Sequence, residues 1–556
     1  MKKSSLLIML ALVAAASTAA AWPKPEAVLG PGIDAGRVIY RQQWNRVLSP
    51  DTLYTLTGQY SVDSTYSLTI PAGTVVRGDT ASVLVIKRGA QIFALGEPCN
   101  PVALTSLKAP GERNRGDWGG VIILGRAPIN KVEPLVEGGI IEGTYGGTDP
   151  DDNSGVFKYV RIEYPGYRYQ LNNETNGLTM GGVGAGTEIH HVQVSYSFDD
   201  GFEWFGGTVN AHHLVNFGGT DDEFDTDFGW VGSVQYAFGL KDLNAWDPTG
   251  ETNGFESDND GSATSTATPY TRCTFSNVTM VGPERTDTIV GNLPIGNRFQ
   301  YSALIRRSSK HSFFNSVIMG FPWGLRIRDV YTINWANTGE LEIKNTSIQA
   351  SLRPPGSTSV HDESLWAGIT TWFNTAGWGN MGDQPRNPSA IGLTDLSDLF
   401  NPNPVPAAGS ELIGSADFSA PRLAGFEVVT YRGAFDPALP MDQQWTACWT
   451  NFNPQRFTVT AVEDGGMPAR GEALGQNYPN PFNPMTAIRF QVPVRGHVTL
   501  RVYNVRGEVV RTVVDEEMIA GVFERSFDAT GLASGTYFYR LAAPSVNETR
   551  KMQLLK

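Results

Sequence analysis

The chain repeats itself at an interval of 22 residues. His190-His191-Val192 returns as His212-His213-Leu214, and Asp199-Asp200-Gly201-Phe202-Glu203 returns as Asp221-Asp222-Glu223-Phe224-Asp225, each 22 positions on. So small a unit cannot enclose a core of its own and must stack on its neighbours. Its length suits one coil of a parallel β-helix, three short strands with their turns. Other segments share the strand signature at wider intervals, as insertions between coils would produce. Tyr159-Val160-Arg161-Ile162-Glu163-Tyr164 matches His191-Val192-Gln193-Val194-Ser195-Tyr196, and Phe275-Ser276-Asn277-Val278-Thr279-Met280 matches Phe314-Asn315-Ser316-Val317-Ile318-Met319. The 61 glycines and 34 prolines punctuate short Val/Ile/Tyr/Phe-rich runs, and sustained helical periodicity is scarce. A β-propeller would need blades nearer forty residues, each with its own signature.

The expectation is therefore an all-β chain: a right-handed parallel β-helix over residues 50–350, preceded by an N-terminal segment at 22–49. Apolar residues should alternate inward, and asparagines should ladder at the corners. Residues 351–461 are rich in Pro and Gly and are read as a C-terminal cap over an open end, with a short helix at 393–400 and strands at 426–429 and 445–449. Residues 462–473, with Gly465-Gly466, form a linker.

The two ends concern destination. Lys2-Lys3, an apolar run over 6–15 and Ala19-Ala20-Ala21 predict a secretory signal peptide over 1–21. Its removal takes the net charge from −13 to about −15 (two lysines lost), which does not suit nucleic acid or anionic lipid as a partner. No other apolar stretch is long enough to span a bilayer. Cys99, Cys273 and Cys448 permit at most one disulfide. At the other end, Leu474-Gly475-Gln476-Asn477-Tyr478-Pro479-Asn480-Pro481-Phe482-Asn483-Pro484 is stiff and extended, and the runs Ile488/Phe490/Val492, Val498/Leu500/Val502 and Tyr537/Tyr539/Leu541 alternate like strands. Size and rhythm suit a seven-stranded, Ig-like sandwich over 474–556.

This last part resembles the C-terminal sorting domain of type IX secretion substrates in Bacteroidetes and related Gram-negative bacteria. The resemblance rests on the Leu474–Pro484 stretch, on Val502-Tyr503-Asn504-Val505-Arg506-Gly507, and on Leu532-Ala533-Ser534-Gly535-Thr536-Tyr537. It implies the type IX secretion machinery as partner, with Sec export, outer-membrane translocation, and release or cell-surface attachment. The middle resembles a family of secreted β-helix proteins from the same bacteria without assigned function. The matching residues are Gly119-Gly120-Val121-Ile122-Ile123-Leu124-Gly125, Asn153-Ser154-Gly155, Phe202-Glu203-Trp204-Phe205-Gly206-Gly207-Thr208 and Asn253-Gly254-Phe255-Glu256-Ser257-Asp258-Asn259.

Candidate chemistry centres on carboxylates. In the 22-residue register Asp199 lies over Asp221 and Asp200 over Asp222, with Glu203, Glu223, Asp225 and Asp227 nearby. Two ionised carboxylates one strand spacing apart, about 4.8 Å, repel by roughly 3 kcal/mol at an effective dielectric near 20. Burial would demand protons or a cation. Calcium fits, since oxygens at about 2.3–2.6 Å on opposite sides of the ion lie about 5 Å apart. Asp199, Asp200, Asp221, Asp222 and Asp225 are the expected ligands, and a solvated acidic turn is the competing reading. A second loop carries Glu256, Asp258 and Asp260 at spacings that imitate a calcium loop, but its twelfth position is Ala267. Asp149, Asp151, Asp152 and Asn153 make a third, weaker acidic turn.

Adjacent strand residues face opposite sides, so each histidine pair offers one outward imidazole. That favours a stacked polar ladder over a zinc site. Phe202, Trp204, Phe205, Phe224, Phe228 and Trp230 form either a sugar-stacking platform or an internal stack. Asp199-Asp200 with Gly324-Leu325-Arg326-Ile327-Arg328 resembles two elements of polygalacturonases, while their Asn-Thr-Asp and Gly-His-Gly elements are absent. Asp199, Asp200, Asp221, Asp222, Arg326 and Arg328 are thus the residues a hydrolase or lyase would use, with Arg306 and Arg307 equally available as the base of a lyase. The reading carried forward is a secreted or surface-attached β-helix that binds an extracellular glycan or surface component, with polysaccharide cleavage as the alternative.

Overall fold

The computed structural model describes residues 24–32, 38–132, 134–170, 173–247, 252–283, 289–290, 293–294, 299–350, 366–382, 391–396, 398–456, 473–477, 480–492, 496–518, 521–544 and 546–555. The expected signal peptide and nearly all of the expected linker lie outside them. Two compact units result, one spanning Pro25–Thr458 and one containing Val459–Lys556.

The larger unit is a parallel β-helix. A ten-stranded parallel sheet, from Ile39–Gln42 to Trp323–Ile327, forms its first face. A sixteen-stranded parallel sheet folds into the second and third. The ladder begins at Glu26–Leu29, which pairs with Leu53–Leu56, so part of the stretch read as a separate N-terminal segment is already helix. The repeat register is as expected: Phe202 pairs with Phe224 and His190 with His212. A second 22-residue coil joins Leu304 to Arg326. Between Val121 and Leu178 one coil carries a long insertion.

The second and third faces meet at a sharp corner. Tyr159, His191, His213, Tyr236, Asn277, Asn315 and Asn345 occupy successive corner positions with φ between 49° and 62°. The left-handed region suits Asn, whose side chain bonds locally, and disfavours Tyr and His. Stacking offsets the cost: ring centroids lie 4.3 Å apart for Tyr159–His191, 4.4 Å for His191–His213 and 4.7 Å for His213–Tyr236. An asparagine ladder was expected here, and asparagines fill only its C-terminal part.

Inside, Phe202, Phe224 and Phe255 stack at 5.4 and 5.2 Å, and Trp204 stacks on Trp230 at 4.5 Å. All five are fully buried, so they are core and present no platform to sugar. Phe205 and Phe228 lie on the outer side of the first face, where the insertion after Leu124 covers them with Val136, Ile140 and Tyr145.

Residues 391–456 flank the helix instead of closing its end. Ile391, Leu393, Leu412, Phe435, Trp449 and Phe452 cover the outer apolar residues Val215, Phe217, Phe238, Leu240 and Met319 of the third face. The strands expected at 426–429 and 445–449 are not formed, and 393–395 is a strand where a helix was expected. Side-chain amides do the work of strand pairing. Gln193, Gln235 and Asn315 each donate to a backbone carbonyl and accept from the N–H of the same residue, Asn451, Glu427 and Asp417 respectively. A Cys99–Cys448 disulfide ties the cover to an early coil, and Cys273 is a buried free thiol. The C-terminal end is closed by 366–382, where Ile369 and Phe373 join the helix core and Met381 bridges to Ser347.

The smaller unit has two antiparallel sheets, of two and four strands, around one core that includes Ile488, Phe490, Leu500, Tyr539 and Leu541. It shows six strands among the described residues where seven were expected. The alternating residues predicted to face inward are buried.

Phe224 touches aromatic neighbours in the coils before and after it. Phe224→Ala should therefore cost about 3–5 kcal/mol by leaving a cavity between coils, read as a lowered urea midpoint at unchanged slope. A loss of about half a kilocalorie or less, typical of exposed sites, would contradict the stack.

A carboxylate row on the first face

Strict alternation on the first face puts Phe202, Phe224 and Phe255 inside and their neighbours Glu203, Asp225 and Glu256 outside, one above another. Two positions on, Asp227 follows Phe205, and the row continues through Asp258, Arg306 and Arg328. The turn leading into these strands carries Asp199-Asp200, Asp221-Asp222 and Thr252-Asn253 in the same register.

Asp200, Asp222 and Asn253 form a ladder of their own. The Asp200 carboxylate accepts the N–H of Asp222 at 2.9 Å, Asp222 accepts the N–H of Asn253 at 2.5 Å, and the Asn253 amide oxygen accepts the N–H of Tyr301 at 3.0 Å. These side chains hold the turn together, and the third step shows that a neutral amide performs the same task. Asp199, Asp200 and Asp221 each bring a ligand oxygen within 4.8 Å of one another, and so do Asp200, Glu203 and Asp225. Of the five expected ligands, four converge in this way. Asp222 instead spends its oxygens on Asn253. Glu203 takes its place.

The surroundings are acidic too. Glu137, from the insertion after Leu124, hydrogen-bonds Glu203, and Asn176 donates to both. Glu174 and Asp247 approach Asp199, with Arg168 paired to both of them. Desolvation first, and neighbouring carboxylates second, push Asp199, Asp200, Glu203, Asp221, Asp222, Asp225, Asp227 and Glu256 well above the usual carboxylate range. Nearby cations make their ion pairs at the margins of the two triads. Lys241 is wholly buried against Glu223 at 3.0 Å, and Arg306 binds Glu256 and Asp258, with Arg307 on Asp258 at 2.6 Å. The residues expected to form a second calcium loop are therefore engaged: Glu256 and Asp258 by arginines, Asp260 by Ser262 and Ser265.

Arg326 lies three strands beyond Asp225 in the same row, about 14 Å away at the strand spacing, and donates to the Tyr301 hydroxyl at 2.7 Å. Arg328 follows Arg306 in the adjacent row. The structure thus separates both arginines from the aspartates they were grouped with. The histidine pairs also depart from expectation. The left-handed corner breaks the in–out alternation, so Ile189 and Val192 are core while His190 and His191 both lie outside. Glu137 and Asn176 were not singled out, and nothing in their sequence neighbourhood marks them; only the insertion's return to the first face does.

The family model described as "Pectate-lyase like beta helix domain" matches residues 40–381, more than half of the chain. The model described as "Secretion system C-terminal sorting domain" matches residues 476–554. None of the curated proteins compared with the chain matches it. The chain belongs to the pectate-lyase-like β-helix family and carries a type IX sorting tail, so it is secreted or held at the cell surface and engages the secretion machinery. No helix among the described residues is long and apolar enough to cross a membrane.

Carboxyls raised in the folded state bind more protons than the unfolded chain does, so their contribution to stability is full below the unfolded carboxyl value near 4 and falls as pH rises above it. Asp200→Asn with Asp222→Asn keeps the ladder and removes two charges. In chelator the double variant should match the wild type near pH 4 and exceed it increasingly towards pH 8, by a margin of the order of the roughly 3 kcal/mol repulsion of one stacked pair. A difference independent of pH would mean that the row is freely hydrated.

Proposed function

We propose that this secreted β-helix binds an acidic extracellular polysaccharide through calcium held on the carboxylate row of its first face. The observation that carries the reading is the convergence of Asp199, Asp200 and Asp221, and of Asp200, Glu203 and Asp225, each set within 4.8 Å, where the neighbouring arginines are already paired. Carboxylates so placed must keep protons or share a cation at neutral pH. Calcium takes six to eight oxygens, more than either triad supplies, which leaves positions for ligand carboxylates or hydroxyls. The family's pectate-lyase-like character points to uronate sugars, and a polyanion approaches an acidic face only through a bridging cation.

An inverting hydrolase keeps its two carboxyls about 6.5–9.5 Å apart to admit water, whereas oxygens of these groups lie within 4.8 Å. A retaining hydrolase works at about 5–5.5 Å but needs one carboxylate ionised as nucleophile, and burial holds every carboxyl of these two sets above the usual range. A lyase needs a free base beside the metal; Arg326 stands about 14 Å along the row, and Arg306 and Arg307 are engaged by Glu256 and Asp258.

In a chelator-treated sample, millimolar calcium should raise the melting temperature by several degrees and switch on retention on immobilised polygalacturonate. Asp199→Asn with Asp221→Asn should abolish both effects. Calcium-independent retention would overturn the calcium bridge, and release of oligosaccharides on incubation, unsaturated for a lyase or saturated for a hydrolase, would replace this reading with the enzymatic one. The sorting tail yields a separate expectation: a chain ending at residue 458 should accumulate in the periplasm of a type IX-competent host, and its appearance at the cell surface at normal levels would show that the tail is dispensable.

A further inference from the structure

At the corner between the second and third faces, four imidazoles from two successive coils meet on the outside of the helix. His190 and His191 approach each other through their Nδ1 atoms at 2.8 Å, and His212 and His213 do the same at 2.6 Å. Across the coils His190 stacks on His212 at 4.8 Å and His191 on His213 at 4.4 Å, with interplanar angles of 4° and 10°. One nitrogen from each of His190, His191 and His212 lies within 4.8 Å of the other two.

Several features of this stack also suit a metal. Two nitrogens about 2.0–2.1 Å from one ion and at right angles to each other sit about 2.9 Å apart, close to the separation found within each pair. The Nε2 of His190 faces Glu188 at 3.0 Å, which favours a proton on Nε2 and leaves the Nδ1 lone pair directed at the cluster. A carboxylate behind a ligating imidazole is the usual supporting arrangement of a metal site. The flanking cover completes an apolar wall: Trp445 lies edge-on to His213 at 5.0 Å and Trp449 edge-on to His191 at 5.7 Å, while Tyr159 and Tyr236 close the stack at either end. The remaining side is open at His212, which is exposed.

We propose that His190, His191 and His212, backed by His213, bind one divalent late transition-metal ion, copper(II) most tightly. An all-imidazole donor set prefers copper, nickel and zinc to calcium, and copper leads that series. The site is independent of the carboxylate row, which offers only oxygen.

The test uses the full chain, purified without a histidine tag, stripped with EDTA and titrated with copper(II) or zinc(II) by calorimetry. The copper complex is then read by electron paramagnetic resonance. One equivalent of copper should bind, with nitrogen hyperfine splitting from imidazole. His190→Ala and His212→Ala should each weaken binding at least tenfold. Asp200→Asn with Asp222→Asn should leave it unchanged. Equal copper affinity in the wild type and in a His190→Ala/His212→Ala double variant whose thermal melt matches the wild type would overturn the proposal, as would a copper spectrum without nitrogen splitting.

Discussion

Everything in the larger unit depends on parallel strands stacked in register, one coil above the next at about 4.8 Å. Within such a stack a side chain's principal neighbour is the residue at the same position in the adjacent coil. Like is placed on like. For Phe202, Phe224 and Phe255 this stabilises the fold, since each ring buries its faces against the next. For Glu203, Asp225 and Glu256 the same geometry lines up charges that repel. Core and acidic row are thus products of one constraint, seen from the two sides of the same strands.

The corner row shows how the constraint absorbs local strain. A tyrosine or histidine in the left-handed region is unfavourable alone, by roughly 1–2 kcal/mol. A continuous stack of flat rings at 4.3 to 4.7 Å returns dispersion energy and covers the bend. The bend in turn places two consecutive residues on one side of the sheet, which no regular strand does. Four imidazoles gather at one point because backbone geometry overrides alternation.

The parallel β-helix was legible where coils are minimal. Positions 190–203 and 212–225 show the period because nothing is inserted between them, and the acidic register follows directly from it. It was not legible where insertions carry parts of the site. Glu137 reaches Glu203 from a loop more than sixty residues earlier in the chain, and no periodicity announces that return. The flanking cover departs from expectation for a different reason. Val428, Val429, Trp445 and Trp449 have strand-like composition, yet their segment pairs with side-chain amides of Gln193, Gln235 and Asn315, and a strand assignment rests on backbone partners that are not there. The histidines depart from strict alternation because the φ of 52° at His191 breaks it.

Secretion bears on the energetics of the acidic row. Raised carboxyls lower stability as pH climbs above about 4, a cost that a protein working outside the cell can have relieved by its surroundings. Calcium modules that work outside cells function with dissociation constants of about 0.1–1 mM. A site ten times tighter, near 10 μM, would contribute about 2.7 kcal/mol in millimolar calcium. That is close to the repulsion of a single stacked pair, so one bound ion suffices to offset it. Under the proposed function the row would be least strained where the ion is plentiful and a ligand can complete its coordination, and the same carboxylates that oppose folding in a metal-free medium would become the means of attachment once the chain is outside.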